Sequence, residues 1–187
     1  MAEIEKRIDN DNLVLRARTD AESLGQLYEL YYERIFRFCV HRLFYKEIAE
    51  DVTSAVFLQV ARRIRSFTGR GEADFRNWLY AIAANHANAY IRKTLRRGRL
   101  LVEAADEIAA TNNGISGSDQ VDWPMLYKAI LKLKPKHQTI VALRFFENME
   151  FEQIAKIINA KPAAVRVMLH RILKKLKDHL QNVDGGQ

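Results

Sequence analysis

The sequence predicts an all-α fold: two small helical domains joined by a flexible linker, the second carrying a helix-turn-helix. Three observations predict it. Apolar residues recur at every third or fourth position through most of the chain, and no alternating strand pattern of useful length appears. Prolines are rare and confined to the last third, at Pro124, Pro135 and Pro162. The longest break in periodicity is residues 98–120, "GRLLVEAADEIAATNNGISGSDQ", whose second part is small, polar and turn-rich, the composition of a linker. The predicted organisation is therefore a first domain over residues 1–97, a linker over 98–120, a second domain over 121–183 and a short tail over 184–187.

In the first domain, Asp20 is a candidate N-cap for a helix carrying Leu24, Leu27, Tyr28, Tyr31, Ile35, Phe38 and Arg42 at spacings of three and four. A second helix runs through "EIAEDVTSAVFLQVARRI" with the stripe Ile48, Val52, Val56, Val60 and Ile64. Phe57 and Leu58 fall beside that stripe and read as a widening of the core face, with exposure to a partner as the alternative. A third helix follows "TGRGEAD" and carries Phe75, Trp78, Leu79, Ile82, His86 and Ala89. In the second domain, Asp122 and Pro124 suit a helix start, by capping and by fixed φ, for a helix ending near Leu133. Pro135 opens "PKHQTIVALRFF", and the short "EFEQIAKIIN" precedes a turn at Asn159–Lys161 and a long helix from Pro162.

Composition narrows the function. With 48% hydrophobic residues the chain can bury a real core, and a net charge of +7 favours an acidic partner such as nucleic acid. Cys39 is the only cysteine, which excludes an intrachain disulfide framework and fits a reducing cytoplasm. It lies in the apolar "FRFCVHRLF" and reads as a small hydrophobe in a core. The N-terminus is too charged for a signal peptide, and no apolar run approaches membrane-spanning length, so no membrane insertion is expected. The histidines His41, His86, His137, His170 and His179 are scattered without HExxH spacing. There is neither a phosphate-loop glycine pattern nor a nucleophile elbow, so the expectation is no enzyme, no cofactor and no metal.

The end of the chain carries the first positive signal. Ile154, Ala155 and Ile158 would bury one edge of a short helix, and Asn159 tolerates the left-handed conformation that ends it. Pro162 at the first helical position loses no needed N–H. Val165, Leu169, Ile172, Leu173, Leu176 and Leu180 then form one apolar face, with Arg166, His170, Arg171, Lys174 and Lys175 off it. A short helix, a tight turn and a longer basic helix is the arrangement that enters a DNA major groove. Lys161 stands where a capping Ser, Thr, Asp or Asn is expected; a cation there opposes the helix dipole but favours an approaching phosphate.

The first domain carries another. Basic residues, among them Arg62, Arg63, Arg65, Arg70, Arg76, Arg92 and Lys93, interleave with Phe67, Phe75, Trp78, Tyr80 and Tyr90 and with the amides of Asn77, Asn85 and Asn88. Cations follow a backbone, aromatics stack on bases and amides read base edges, a combination suited to single-stranded DNA. The loop "SFTGRGEADF" has glycines that permit close approach and could hold an unstacked base. Phe75, Trp78 and Leu79 lie on the core stripe, which leaves Phe67 and the loop as the better candidates.

A duplex reader and a single-strand reader on one chain suggest promoter recognition with melting. Here the sequence resembles a bacterial RNA polymerase sigma factor of the extracytoplasmic-function type, over about residues 12–97 and 121–180. "AEDVTSAVFLQVARRIRSF" is similar to the family's polymerase-binding helix, and "FRNWLYAIAANHANAYIRK" to its segment for the upstream edge of the transcription bubble. "LKLKPKHQTIVALRFFENMEFEQIAKIINAKPAAVRVMLHR" is similar to its −35 domain. The resemblance implies binding of core RNA polymerase and of promoter DNA, duplex at −35 and single-stranded at −10. It places Arg166, Val167, His170, Arg171 and Lys174 on the −35 duplex, with Arg144 and Phe151 nearby. It assigns Phe67, Thr68, Gly69 and Arg70 to the flipped-base loop, supported by Asn85, Asn88 and Arg92, and Asp51, Ser54 and Phe57 to the polymerase clamp. It also implies a linker threaded toward the RNA exit channel and an anti-sigma factor as regulator. The chain departs from the family pattern at Ser54 and Ala55, where Gln-Glu is usual, and at Val167, where serine is frequent. With the chain stopping soon after the second domain, no fused C-terminal sensory domain is expected. The competing reading, a stand-alone helix-turn-helix regulator, needs a dimerisation or effector domain, which the first half does not resemble.

Overall fold

A computed structural model describes residues 2–96 and 123–184; the expected linker, the capping role of Asp122 and most of the tail fall outside the described residues. Among the described residues the structure is helical, without strands. The elements are α1 (Ala2–Arg16), α2 (Ala21–Leu43), α3 (Lys46–Arg63), a 3₁₀ turn (Ile64–Ser66) and α4 (Glu72–Arg96), followed by α5 (Trp123–Leu131), α6 (Pro135–Val141), a π turn (Ala142–Phe146), α7 (Phe151–Ile157) and α8 (Pro162–Asp184).

Asp20 caps α2 as its chemistry predicts: its carboxylate accepts the Ser23 N–H at 2.7 Å. The stripe of α2 then buries Leu27, Tyr31, Ile35 and Phe38, while Leu24 is half-buried and Tyr28 exposed. These side chains meet Val52, Val56 and Val60 of α3 and Phe75, Leu79, Ile82, Ala83, Ala87 and Ile91 of α4. Each large aliphatic removed from water there contributes about 1.5–3 kcal/mol. Cys39 lies fully inside this core, where burial pushes its thiol up to about 11 and keeps it protonated. Ala89, expected on the core stripe, is exposed; Ala87 and Ile91 face inward instead. His86 is half-buried and its Nε2 lies 2.7 Å from the Gln59 carbonyl oxygen. Burial holds the imidazole below its usual pKa.

Helix α1 is not anticipated by the sequence reading. Its dense charge hides a short apolar edge, of which Leu13, Val14 and the following Ala17 are buried.

In the second half, α5, α6 and α8 start at or next to a proline, as read, with Pro135 in the first turn of α6. The expected continuous helix through Phe146 does not form. The chain widens by one residue into the π turn, closed by the Glu147 N–H on the Ala142 carbonyl at 3.2 Å. The extra residue turns Phe145 outward, 52% exposed, and lays Phe146 on His41 of α2, ring centroids 4.0 Å apart and nearly parallel.

That stack belongs to a contact between the two halves. Arg42, which the sequence places on an apolar stripe, is buried at its centre. Its guanidinium donates to Gln138 Oε1 at 2.6 Å, to Asn88 Oδ1 at 2.7 Å and to the Pro135 carbonyl at 3.2 Å. The acceptors are all neutral. Burial therefore draws Arg42 down to about 9, still above neutrality, so a charged guanidinium sits in the contact. Gln138 in turn donates to the Leu133 carbonyl at 2.9 Å, which fixes its oxygen toward Arg42. Tyr80 donates to Glu147 at 2.5 Å, and Phe44 meets Tyr127 edge-on, centroids 5.0 Å apart. Burial holds the Glu147 carboxyl above its usual range despite that bond.

Candidate nucleic-acid interface

The turn between α7 and α8 is built as its residue types require. Glu150 and Gln153 form a reciprocal capping box at the start of α7. Asn159 takes φ 50°, and the Ala160 N–H closes on the Ala155 carbonyl at 2.8 Å. Ile154, Ala155 and Ile157 of α7 pack with Val165, Leu169, Ile172 and Leu176 of α8. Leu173, expected on that apolar face, is 44% exposed, because it lies one residue past Ile172 and turns off the stripe.

This packing presents Arg166, Val167, His170, Arg171 and Lys174 together on the exposed side of α8. Val167, 51% exposed among cations, offers an apolar contact of the kind a thymine methyl takes. The ring of Phe151 at the head of α7 meets two guanidinium groups, Arg144 at 5.1 Å and Arg166 at 5.2 Å from its centroid. Arg144 also donates to the Met149 carbonyl at 2.9 Å, so it braces the turn before α7. Arg166 pairs with Glu152 at 3.2 Å, both side chains largely exposed. An approaching phosphate must displace Glu152. Glu152→Gln is therefore expected to tighten duplex binding by about two- to fivefold at low salt, an advantage that fades at high salt. Titration of labelled duplex at two ionic strengths checks this.

In the first half, Thr68 and Arg70 are exposed and Gly69 is half-buried in the loop between the 3₁₀ turn and α4. Phe67 is 8% exposed. Its ring packs on Trp78 at 5.0 Å and on Phe75 at 6.0 Å, under the Arg18 guanidinium. It is a wall of the core in this arrangement, and its face is not free to receive a base. The loop is tight around it: a Cβ on Gly69 would stand 2.2 Å from the Phe67 ring and 2.7 Å from Asp74 Cβ.

The amides fall elsewhere. About 20 Å of helix separates the start of α4 from Asn85. Asn85 and Arg92 are exposed; with Asn88 they line a cleft of about 450 Å³ whose far wall is Lys134, Lys136 and Thr139 of the second half. Asn88 is engaged there, its carbonyl accepting from Arg42 and, at 3.2 Å, from the Thr139 hydroxyl. Sequence reasoning missed this engagement.

On α3, Asp51 and Ser54 are exposed, but Phe57 is 9% exposed and packs edge-on against Tyr28 at 4.8 Å. The residue that continues the outer face is Leu58, 53% exposed, where the core reading gives way to its alternative. The spacing 51, 54, 58 already contained that signal. Among the described residues no cluster of His, Cys, Asp or Glu could hold a metal, and no helix is long and apolar enough to cross a membrane.

Two family models match this chain. The family model for sigma-70 region 2 matches residues 27–97 and that for sigma-70 region 4 matches residues 124–176; α1 lies wholly before the first match. The chain is 31% identical over 169 residues to the ECF RNA polymerase sigma factor BldN of Streptomyces coelicolor, covering 88% of this chain and 63% of that protein's length. It is 28% identical to the sigma factor YlaC of Bacillus subtilis, covering 85% of this chain and 92% of the relative. It is 32% identical to the sigma factor CarQ of Myxococcus xanthus, covering 73% and 77%. Two solved structures share the fold. One is CnrH in complex with the cytosolic domain of CnrY, with a TM-score of 0.67 and 18% identity over 95% of this chain and 99% of that one. The other is the sigma factor RpoE of Bartonella quintana in complex with the anti-sigma factor NepR, with a TM-score of 0.60 and 16% identity over 84% and 96%. With both regions matched in order and the exposed basic helix in its expected place, the chain belongs to the sigma-70 family of RNA polymerase sigma factors, as one of the ECF type.

Proposed function

We propose that this promoter-recognising sigma factor divides its work between residues 1–97 and 121–183. The second domain reads −35 duplex through Arg166, Val167, His170 and Arg171, with Lys174 on phosphate and with Arg144 and Phe151 orienting Arg166. The first holds −10 single strand at Thr68–Arg70, with Asn85, Asn88 and Arg92 on the adjoining DNA. Asp51, Ser54 and Leu58 face the polymerase, and Phe57 supports them from beneath. The factor is non-catalytic and works in the cytoplasm beside core RNA polymerase. An anti-sigma factor is its expected regulator, on the precedent of RpoE with NepR.

The single observation that carries the duplex assignment is the exposed row on α8, held rigid by the buried packing of α7. Rigid side chains at the N-terminal part of a helix are what base edges in a major groove require. Asn88 adds a condition: it is tied to Arg42 and Thr139, so its use on DNA requires the halves to part.

Run-off transcription with core polymerase over a promoter library randomised at −35 and −10 tests the reading. Initiation from templates enriched in two spaced elements is expected. Failure to initiate from every template, together with symmetric operator binding by the chain alone, would establish the stand-alone regulator instead. Within that assay, replacing Thr68–Arg70 by Ser-Gly-Ser is expected to slow opening of duplex promoters while leaving −35 binding intact.

A further inference from the structure

The loop that would hold the −10 strand is not self-supporting. Its last residue before α4 is Gly71, which has no side chain with which to cap the helix. The cap comes from α1 instead: Asp11 Oδ1 accepts the Glu72 N–H at 2.6 Å. The two segments fit each other closely, since a Cβ on Gly71 would stand 2.2 Å from that same oxygen. The neighbouring groups repeat the pattern. Asn10 donates to the Glu72 carboxylate at 3.1 Å, and the Tyr31 hydroxyl donates to its other oxygen at 2.9 Å. Arg18, just past α1, donates to the Gly69 carbonyl and covers the Phe67 ring at 5.5 Å. On the outer side, Arg70 N–H is held by Asp74 at 3.1 Å. Asp11 also walls the cleft of about 510 Å³ that opens beside Arg70, Glu72 and Arg76.

We propose that α1 and the turn after it are a positioning element for promoter opening: Asp11, with Asn10 and Arg18, sets the conformation of residues 69–72 and so the geometry in which the loop receives an extruded nucleotide. These residues touch the loop backbone and the first residue of α4, and they act on DNA only through them. The inference rests on the assignment of this loop to the −10 strand. It adds that the loop's shape is dictated by a segment lying outside the matched region.

The test uses holoenzyme assembled from core polymerase and the full chain, on a promoter selected from the randomised library with the unaltered protein. Asp11→Ala, Asp11→Asn and the double variant Thr68→Ala/Arg70→Ala are compared. The readouts are the rate of open-complex formation on duplex template, the same rate on template pre-melted at −10, −35 duplex binding, and thermal unfolding of the free chain. Asp11→Ala is expected to slow opening of duplex template by about five- to tenfold, the loss of one helix cap. Pre-melted template and −35 binding should change much less. Asp11→Asn keeps an acceptor for the Glu72 N–H and is expected to recover most of the rate. If the loop variant is slow and Asp11→Ala is not, the positioning role is wrong and the loop assignment stands. If neither is slow, the loop assignment fails and takes the proposal with it. If Asp11→Ala loses opening and −35 binding together, in step with lost folded protein, or if Asp11→Asn is as slow as Asp11→Ala, the role is merely structural and the proposal is overturned.

Discussion

Arg42→Ala is expected to lower the midpoint of thermal unfolding by about 6–12 °C and to split one cooperative transition into two. The change removes a fully buried side chain and leaves Gln138 Oε1 and Asn88 Oδ1 without their donor in a closed contact. The lost packing and unsatisfied acceptors cost about 3 kcal/mol, and in a chain of this size each kcal/mol moves the midpoint by about 2–4 °C. Arg42→Lys is not expected to rescue it, because one ammonium cannot span acceptors that the guanidinium reaches from separate nitrogens. Circular dichroism at increasing temperature checks both. An unchanged single transition for Arg42→Ala would mean that the contact contributes no net free energy and that the halves are coupled by other residues.

Arg171→Ala is expected to weaken promoter binding by about 10- to 100-fold, with loss of discrimination at one −35 position, if the side chain reads a base. Lys174→Ala should behave differently. A phosphate contact carries no sequence information, so binding should fall on all promoters alike and the salt slope should drop by about one. Holoenzyme binding to cognate and scrambled −35 duplexes across a salt series separates the two. An Arg171→Ala protein with unaltered footprint and transcription would remove that residue from the reading surface.

What the sequence made legible was what is local. Asp20 as a cap, Asn159 as a left-handed stop and the Val165–Leu169–Ile172 stripe each depend on residues within one or two turns, and the structure has them. Errors of one position follow from the helix period: Leu58 for Phe57 and Leu173 for Ile172 are each a rotation of about 100° that a three-or-four spacing does not resolve, while Ala89 lies two residues, about 200°, from the inward-facing Ala87. Phe67 went wrong for another reason. An aromatic beside glycines looks available until Trp78 and Phe75 are seen closing over it. Contacts between distant segments had no local signal. Arg42 was conspicuous as a charge on an apolar stripe, but nothing in the chain paired position 42 with 138 or 88. The dependence of the Glu72 N–H on Asp11 was equally hidden, since a helix start preceded by glycine does not announce where its acceptor lies.

The widened turn at Ala142–Phe146 has a practical corollary. One surplus amino acid there would be the easiest deletion for α6 to absorb, restoring an ordinary spiral. Because the wider turn already takes up the extra residue, the chain beyond Glu147 would keep its phase, and only the side chains within the turn would be re-aimed. Phe145 would lose the offset that turns it outward, and Phe146 would leave its seat on His41. Chimeras that join the second half to another chain should accordingly be spliced before Ala142 or after Glu147, never within.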